Sequence, residues 1–253
     1  MSKETFSRIQ QQLQDAGLYE GEVDGMWGPL SQSALDAAMA LTTHRCEANV
    51  PLNPSSTRYK DIAWSAKVSD VFLDRTQWIV DELGMPKSSG ASDLMACMAW
   101  ESGETFRPDV RNGAGSGATG LIQFMPATAI VYFYTQAQIA AMSKQERKEA
   151  GIDACNRLAK LSAEDQLNYV YRYFMPYKNR LKNLGDLYLA ILWPLGIGKA
   201  DNWVLWNQDE RPTTYLQNKG LDVNKDGAIT RGECLIKVTE KLTKGMRPEY
   251  RRA

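Results

Sequence analysis

The sequence predicts a mainly α-helical protein in which a small helical module precedes a larger helical domain. Apolar residues recur at helical spacing along most of the chain, and the alternation typical of strands is scarce. The 253 residues, of which 43% are hydrophobic and 24% charged, have ordinary globular composition. A stretch rich in Asn, Pro, Ser and Thr separates the two helical parts. We therefore expect a module at 1–43, a linker at 44–60 and a domain at 61–253.

Charge and residue usage exclude several classes of function. Thirty basic residues balance thirty acidic ones, so no global field attracts nucleic acid. Because Met1 to Gln10 is polar and no run of eighteen apolar residues occurs, we expect neither a signal peptide nor membrane insertion. The single histidine, His44, lies in the linker and argues against histidine-based catalysis in the domain. We expect a monomer with four buried free thiols, at Cys46, Cys97, Cys155 and Cys234.

The N-terminal module has a recognisable turn sequence. A helical pattern ends at Gly17 and is followed by Leu18-Tyr19, Val23-Asp24-Gly25 and Met26-Trp27-Gly28-Pro29, after which Ser31 can cap a second helix. This order resembles the peptidoglycan-binding domain of cell-wall hydrolases. Aromatic and Asp side chains on turns commonly contact carbohydrate-like ligands, so we expect Asp24 and Trp27 to bind the cell wall. The alternative is a mini-fold that holds no ligand.

The segment before Glu101 predicts a buried helix that delivers a carboxyl group to the edge of the core. Residues Leu94–Trp100 are apolar on every face, Ser92 can cap the helix, and Gly103 ends it. Desolvation and the negative end of the helix dipole should both raise the pKa of Glu101, as a general acid requires. The alternative is an exposed glutamate in a last helical turn.

The residues that follow carry a specific motif. Glu101-Ser102 precedes Phe106, the run from Gly117 to Pro126 (GATGLIQFMP) and Thr128-Ala129. This order resembles the soluble lytic transglycosylase family. The resemblance implies a lysozyme-like α fold in which Glu101 is the catalytic acid/base. It also implies substrate-binding residues, at Ser102, Gln123 and Met125.

Further similarity extends over most of residues 91–240. The segments 161–171 and 186–194 resemble a phage-associated branch of the same family. The broader family's Ala-Tyr-Asn-Ala-Gly motif is absent, and Ala190 to Pro194 takes its place. Tyr188 and Tyr169 are the candidates for a tyrosine that assists Glu101 and binds substrate. The alternative for each is packing in an aromatic core.

The number of carboxylates predicts the reaction. Ordinary glycosidases place two across the scissile bond, whereas only Glu101 has a motif here. Glu101 would protonate the glycosidic oxygen and then accept the proton of the muramic acid C6 hydroxyl, which yields a 1,6-anhydro sugar. Glu104 or Asp109 could supply a second carboxylate, and the protein would then be a hydrolytic muramidase.

A calcium loop is predicted near the C-terminus. Residues 222–233 fit the EF-hand pattern at loop positions 1, 3, 5, 6 and 12. The expected ligands of a structural Ca²⁺ are Asp222, Asn224, Asp226, the carbonyl of Ala228 and Glu233, with Thr230 acting through water. The segment 215–220 makes a poor entering helix. The alternative is a turn that holds no metal.

Together these features predict an enzyme that lyses the bacterial cell wall by cleaving peptidoglycan glycan strands. We expect synthesis in a host cytoplasm without a signal peptide, followed by release to the wall as a phage endolysin or delivery in a virion. One alternative is a non-catalytic wall-binding virion protein. A calcium-responsive interaction protein is a further alternative, although one partial EF-hand offers no groove for a target helix.

Overall fold

The computed structural model describes residues 3–15, 19, 21–26, 28, 31–32, 58–113 and 115–253. Within these ranges the chain forms ten α-helices and one two-stranded sheet, which confirms the mainly α class. None of these helices combines the length and apolar character needed to cross a membrane. The chain divides into two compact units, the first comprising 1–55 with 134–141 and the second 56–133 with 142–253.

The described elements have the following bounds. The helices are α1 Lys3–Asp15, α2 Asp70–Leu83, α3 Gly90–Glu101, α4 Pro126–Ala129, α5 Gln136–Ala141, α6 Lys144–Ala159, α7 Ala163–Phe174, α8 Leu184–Leu192, α9 Pro212–Asn218 and α10 Arg231–Gly245. The strands are β1 Val204–Asn207 and β2 Ala228–Thr230. Helices α1 and α5 belong to the first unit, and the other elements belong to the second.

In the first unit, one buried amide holds the Asp-Gly turn against α1. The side chain of Gln10 accepts a hydrogen bond from the Gly25 amide at 2.8 Å and donates one to the Met26 carbonyl at 2.9 Å. Gly25 has φ +70°, and a Cβ there would lie 2.6 Å from the Lys3 carbonyl oxygen. Only glycine fits this approach of the turn to the helix.

Asp24 shapes the same turn. Its Oδ1 accepts hydrogen bonds from the Met26 amide at 2.8 Å and from Gln10 at 3.1 Å. Ser31 was expected to cap a second helix, but it is itself helical and its hydroxyl accepts a hydrogen bond from Gln10. Trp27, most of the predicted second helix and the predicted linker up to residue 57 lie outside the described residues.

In the second unit, α3 forms the centre of the core. Every residue from Gly90 to Ala99 is buried, which includes the apolar run from Leu94 that the sequence predicts to be buried. The helix packs against α2, α8 and α10. It begins at Gly90 rather than after Ser92, because the Ser92 hydroxyl accepts a hydrogen bond from the Ala63 amide at 3.1 Å instead of capping the helix. Ser92 thus fastens α3 to the chain that enters this unit.

The surrounding elements follow local sequence signals. Ser162 caps α7 by accepting a hydrogen bond from the Asp165 amide, and Pro126 opens α4, as the motif predicts. Helix α7 packs against α2, and α6 packs against α4. Tyr59, which lies inside the predicted linker, is buried in the core of the second unit.

Strands β1 and β2 pair antiparallel just before α10. Trp206 lies opposite Ile229, and Asn207 lies opposite Ala228, with an irregularity between Val204 and Trp206. The sheet therefore joins the predicted calcium loop to the segment that follows α8. Cys97, Cys155 and Cys234 are buried free thiols, as expected, whereas Cys46 and His44 lie outside the described residues.

Candidate active site

The carboxyl group of Glu101 lies at the C-terminal end of the buried helix α3. It is partly exposed, and no described residue forms an ion pair or hydrogen bond with it. Burial raises its pKa from the usual 4.5 to about 8, which confirms the predicted direction of the shift. The group therefore keeps its proton at neutral pH, and it can both donate a proton and later accept one.

Two tyrosines from different helices lie in the electrostatic field of this carboxyl group. Burial raises the pKa of Tyr188 on α8 and of Tyr173 on α7, and the charge of Glu101 raises both further. The Tyr188 hydroxyl accepts a hydrogen bond from the Trp100 indole at 3.2 Å, which leaves its own proton able to donate. The Tyr173 hydroxyl donates to the Ala190 carbonyl at 3.2 Å. Both hydroxyls stay protonated beside Glu101.

Tyr173 was not among the residues singled out from the sequence. The predicted Tyr169 precedes it by one helical turn and lies in an aromatic cluster with Tyr132 and Phe133, at ring-centroid distances of 5.4 and 5.5 Å. The Arg172 guanidinium lies over the Tyr169 ring. Because residues four apart share one face of a helix, the pattern that pointed to Tyr169 also contained Tyr173.

Ser102 shapes the loop that follows the catalytic candidate. It is buried, and its hydroxyl donates to the Met98 carbonyl at 2.6 Å and accepts from the Phe106 amide at 3.0 Å. Both contacts are with the main chain, so they fix the turn after Glu101. These contacts favour a positioning role for Ser102 over the contact with substrate expected from the motif.

The glycine-rich motif folds back on itself. Thr119 and Phe124 exchange backbone hydrogen bonds of 3.1 and 2.8 Å, and Thr119 also bridges to Arg111. Gln123 adopts φ +52° in the turn, and its side-chain amide donates to the Val110 carbonyl at 3.3 Å. The predicted contact residue Gln123 is therefore held partly by its own loop.

The fold-back connects the motif to the tyrosine pair. Phe124 is buried and meets Tyr173 edge-on, with the ring centroids 6.1 Å apart. Met125, the next residue, is 47% exposed. An exposed thioether beside a buried aromatic anchor suits contact with the apolar face of a ligand. The motif thus brings Phe124 to the site and leaves Met125 accessible.

One buried glutamine holds the motif on α7. The side-chain oxygen of Gln166 accepts a hydrogen bond from the Leu121 backbone amide at 2.7 Å. Its side-chain nitrogen donates to the backbone carbonyls of Pro108 and Leu158 at 3.0 and 2.9 Å. Gly120, with φ +81°, leaves room for it, because a Cβ there would lie 2.2 Å from the glutamine Oε1. Sequence analysis missed Gln166, although a polar residue inside the apolar stripe of α7 was a signal.

The two possible second carboxylates are already engaged. Glu104 accepts from Lys241 and Lys244 at 2.5 and 2.6 Å; although burial opposes its ionisation, these contacts lower its pKa. Asp109 accepts from Arg107 at 2.7 Å, and this hydrogen bond lowers the pKa of the aspartate. Neither group has the raised pKa of Glu101, and both are neutralised by basic partners.

The predicted calcium loop, residues 222–233, follows α9, contains β2 and ends in the first turn of α10. Asp222 is buried, whereas Asn224 and Asp226 are exposed and hydrogen-bond to each other at 2.9 Å. Thr230 caps α10 by accepting a hydrogen bond from the Glu233 amide, and the Glu233 carboxylate accepts one from the Thr230 amide in return. The part of the chain that the structure describes contains no cluster of three or more His, Cys, Asp or Glu side chains arranged to hold a metal.

Comparison of the sequence with models of known protein families gives no match, and comparison with curated proteins finds no similar sequence.

Proposed function

We propose that the protein cleaves the glycan strands of bacterial peptidoglycan with Glu101 as its acid/base. The observation that carries this proposal is a carboxyl group whose pKa is about 8, at the end of a buried helix and without a described ionic partner. Strongly raised carboxyl pKa values are typical of general acids in glycoside cleavage. The motif that surrounds Glu101 gives the substrate class, and the fold we propose is lysozyme-like.

In the proposed reaction, Glu101 donates its proton to the glycosidic oxygen while the bond from that oxygen to the muramic acid C1 breaks. The C6 hydroxyl oxygen of the same sugar then bonds to C1, and its proton returns to Glu101. The enzyme is regenerated and no water is consumed. Tyr188 accepts a hydrogen bond from Trp100 and keeps a hydroxyl proton that can stabilise charge beside Glu101, whereas Tyr173 donates its proton to the Ala190 carbonyl.

The ion pairs of Glu104 and Asp109 support the non-hydrolytic route. A hydrolase of this kind needs a second carboxylate that can act as a nucleophile or activate water. Glu104 is bound by two lysines of α10, and Asp109 by Arg107. Recruiting Glu104 would cost two ion pairs to α10, whereas intramolecular attack by the C6 hydroxyl needs Glu101 alone.

Product analysis tests this proposal. Purified peptidoglycan digested by the protein is expected to release muropeptides that end in 1,6-anhydro-N-acetylmuramic acid, as identified by mass spectrometry. Reducing N-acetylmuramic acid ends would overturn the non-hydrolytic route and favour the muramidase. A digest without soluble muropeptides would contradict glycan cleavage itself.

Replacing Glu104 with Gln is expected to leave lytic activity close to that of the unaltered protein. The free energy of unfolding should fall by about 0.5–2 kcal/mol, because two partly exposed ion pairs are lost. Turbidity of a cell-wall suspension measures the activity, and urea denaturation measures the stability. Glu240→Gln, which removes a surface pair with Lys237, is the control. A loss of lysis as large as that caused by replacing Glu101 would assign Glu104 a catalytic role.

The first unit is proposed to bind peptidoglycan through Asp24 and Trp27. The Met26 amide and then the Gln10 side chain lower the pKa of Asp24, so its carboxylate stays charged. The buried Gln10 holds the turn in one conformation. We propose that the protein acts as a phage wall-lysing protein, after release from the host cytoplasm or from a virion.

A further inference from the structure

The backbone of residues 222–233 already has the sharp turn that a calcium loop requires. Gly227, at loop position 6, has φ +86°, and a Cβ there would lie 2.7 Å from the Gln208 amide nitrogen. The side-chain oxygens of Asn224 and Asp226 accept hydrogen bonds from the amides of Asp226 and Ala228 at 3.0 and 2.9 Å. These contacts fold positions 3 to 7 of the loop into a compact bend.

An independent observation points to a cation within this loop. Asp222 is only 8% exposed, and its buried Oδ1 accepts no hydrogen bond from any residue that the structure describes. The other oxygen of the same carboxylate accepts from the Tyr215 hydroxyl at 2.6 Å and from the Gly227 amide at 3.1 Å. The Gly227 contact orients the carboxylate toward the loop. A buried carboxylate oxygen without a donor is costly, and a bound cation satisfies it.

Glu233 closes the loop from its far end. Its Oε1 accepts from the amides of Val223 and Asn224 at 3.1 and 3.3 Å, so the last loop position already contacts positions 2 and 3. Its Oε2 accepts from the Thr230 hydroxyl at 2.7 Å. Glu233 is thus held near the start of the loop, and it stands at position 12, which supplies a bidentate ligand in calcium loops of this pattern.

The loop is joined to the helix that carries Tyr188. Arg231, within the loop, is buried and forms an ion pair with Asp186 in the first turn of α8, at 3.2 Å. Asp186 also accepts from the Gly198 amide at 2.8 Å. Arg231 contacts Asp201 as well, in the segment that leads to β1. A change in the order of the loop is therefore transmitted to α8.

We infer that residues 222–233 bind one Ca²⁺ and that the bound ion stabilises α8 through Arg231 and Asp186. The protein ligands are side-chain oxygens of Asp222, Asn224, Asp226 and Glu233 and the carbonyl oxygen of Ala228. Because Asp226 and Glu233 are hydrogen-bonded within the loop, binding requires their side chains to turn toward Asp222. Mg²⁺ fits poorly, because it demands a smaller and more regular octahedral shell. This inference does not rest on the proposed glycan cleavage.

Calorimetric titration of the chelator-treated protein with Ca²⁺ should show saturable binding of one ion. The thermal midpoint should rise by about 5–10 °C when Ca²⁺ is about 100-fold above its dissociation constant. Mg²⁺ at equal concentration should give a much smaller rise. Tb³⁺, excited through Trp206 on the paired strand, provides a direct probe that Ca²⁺ should displace. The absence of both saturable heat and Tb³⁺ emission would overturn the site.

Variants locate the ion. Asp222→Asn keeps the shape of the side chain and should weaken Ca²⁺ binding by at least tenfold, as should Asn224→Ala, whose exposed position makes misfolding a minor concern. Asp209→Asn removes an exposed acid outside the loop and should bind as the unaltered protein does. Equal affinity in all four proteins would place the ion elsewhere and contradict the assignment.

Hydrogen exchange followed by mass spectrometry tests the connection to α8 in the unaltered protein. Saturating Ca²⁺ should slow amide exchange in residues 222–233 and also in residues 184–192. Protection of the loop alone would overturn the connection and leave a local metal site. None of these measurements uses peptidoglycan, so a failure of the proposed enzymatic function would not affect them.

Discussion

Glu101→Gln is expected to lower lytic activity by about a hundredfold to ten-thousandfold, the usual contribution of a general acid. Glutamine preserves the shape of the side chain and cannot transfer a proton. Because no described residue is paired with the Glu101 carboxyl, the substitution breaks no ion pair and the fold should persist. Release of soluble muropeptides measures activity, and cosedimentation with cell walls measures binding.

The same group predicts a pH profile. With a pKa of about 8, Glu101 is protonated at neutral pH and loses its proton as the pH rises through that value. The kcat/KM of the unaltered protein should therefore decline above about pH 8, and the residual activity of the Gln variant should lack this decline. Unchanged lysis by the variant would contradict the assignment of Glu101 as the acid/base. Glu104→Gln, in the following turn, is the matched control.

Gly120→Ala is expected to lower the free energy of unfolding by about 2–4 kcal/mol. The added Cβ would lie 2.2 Å from Oε1 of the buried Gln166, and φ at this position is +81°. Gln166 cannot move aside without losing hydrogen bonds to the motif and to Pro108 and Leu158. Urea denaturation followed by circular dichroism measures the change.

Gly115→Ala is the matched control for this prediction. Gly115 lies in the same glycine-rich segment with φ +76°, and a Cβ there meets no atom of the described residues within 4 Å. Gly115→Ala should therefore lower the free energy of unfolding only by the strain of a left-handed alanine, about 1–2 kcal/mol. If the two variants were equally stable, the contact between Gly120 and Gln166 would not contribute to the docking of the motif on α7.

Local sequence predicted the central helix and its carboxyl group well. Residues 94–100 are apolar on every face, and this property alone implies burial of α3 and a raised pKa at its end. The start of α3 was misplaced by three residues, because Ser92 contacts Ala63 rather than the helix's own amides. A serine before an apolar run looks the same in sequence whether it caps a helix or forms a tertiary contact.

Long-range pairings were not predictable. Glu104 and Asp109 have similar sequence surroundings, yet Glu104 meets two lysines more than 130 residues away, on α10. The ion pair between Arg231 and Asp186 likewise depends on the packing of α10 against α8. Tyr173 and Gln166 were visible as residues, but their roles follow from the helix faces that meet Glu101 and the glycine-rich motif.

The isolated carboxyl group of Glu101 also has a consequence for protein engineering. Its pKa in the folded protein is about 8, against an ordinary 4.5, so the folded chain retains a proton that the unfolded chain releases across this interval. The contribution of Glu101 to the free energy of unfolding therefore falls as the pH rises from about 4.5 to about 8. Laboratory evolution that rewards heat resistance alone at neutral or alkaline pH would favour replacement of Glu101. A screen for robust variants must therefore include lysis among its selected traits.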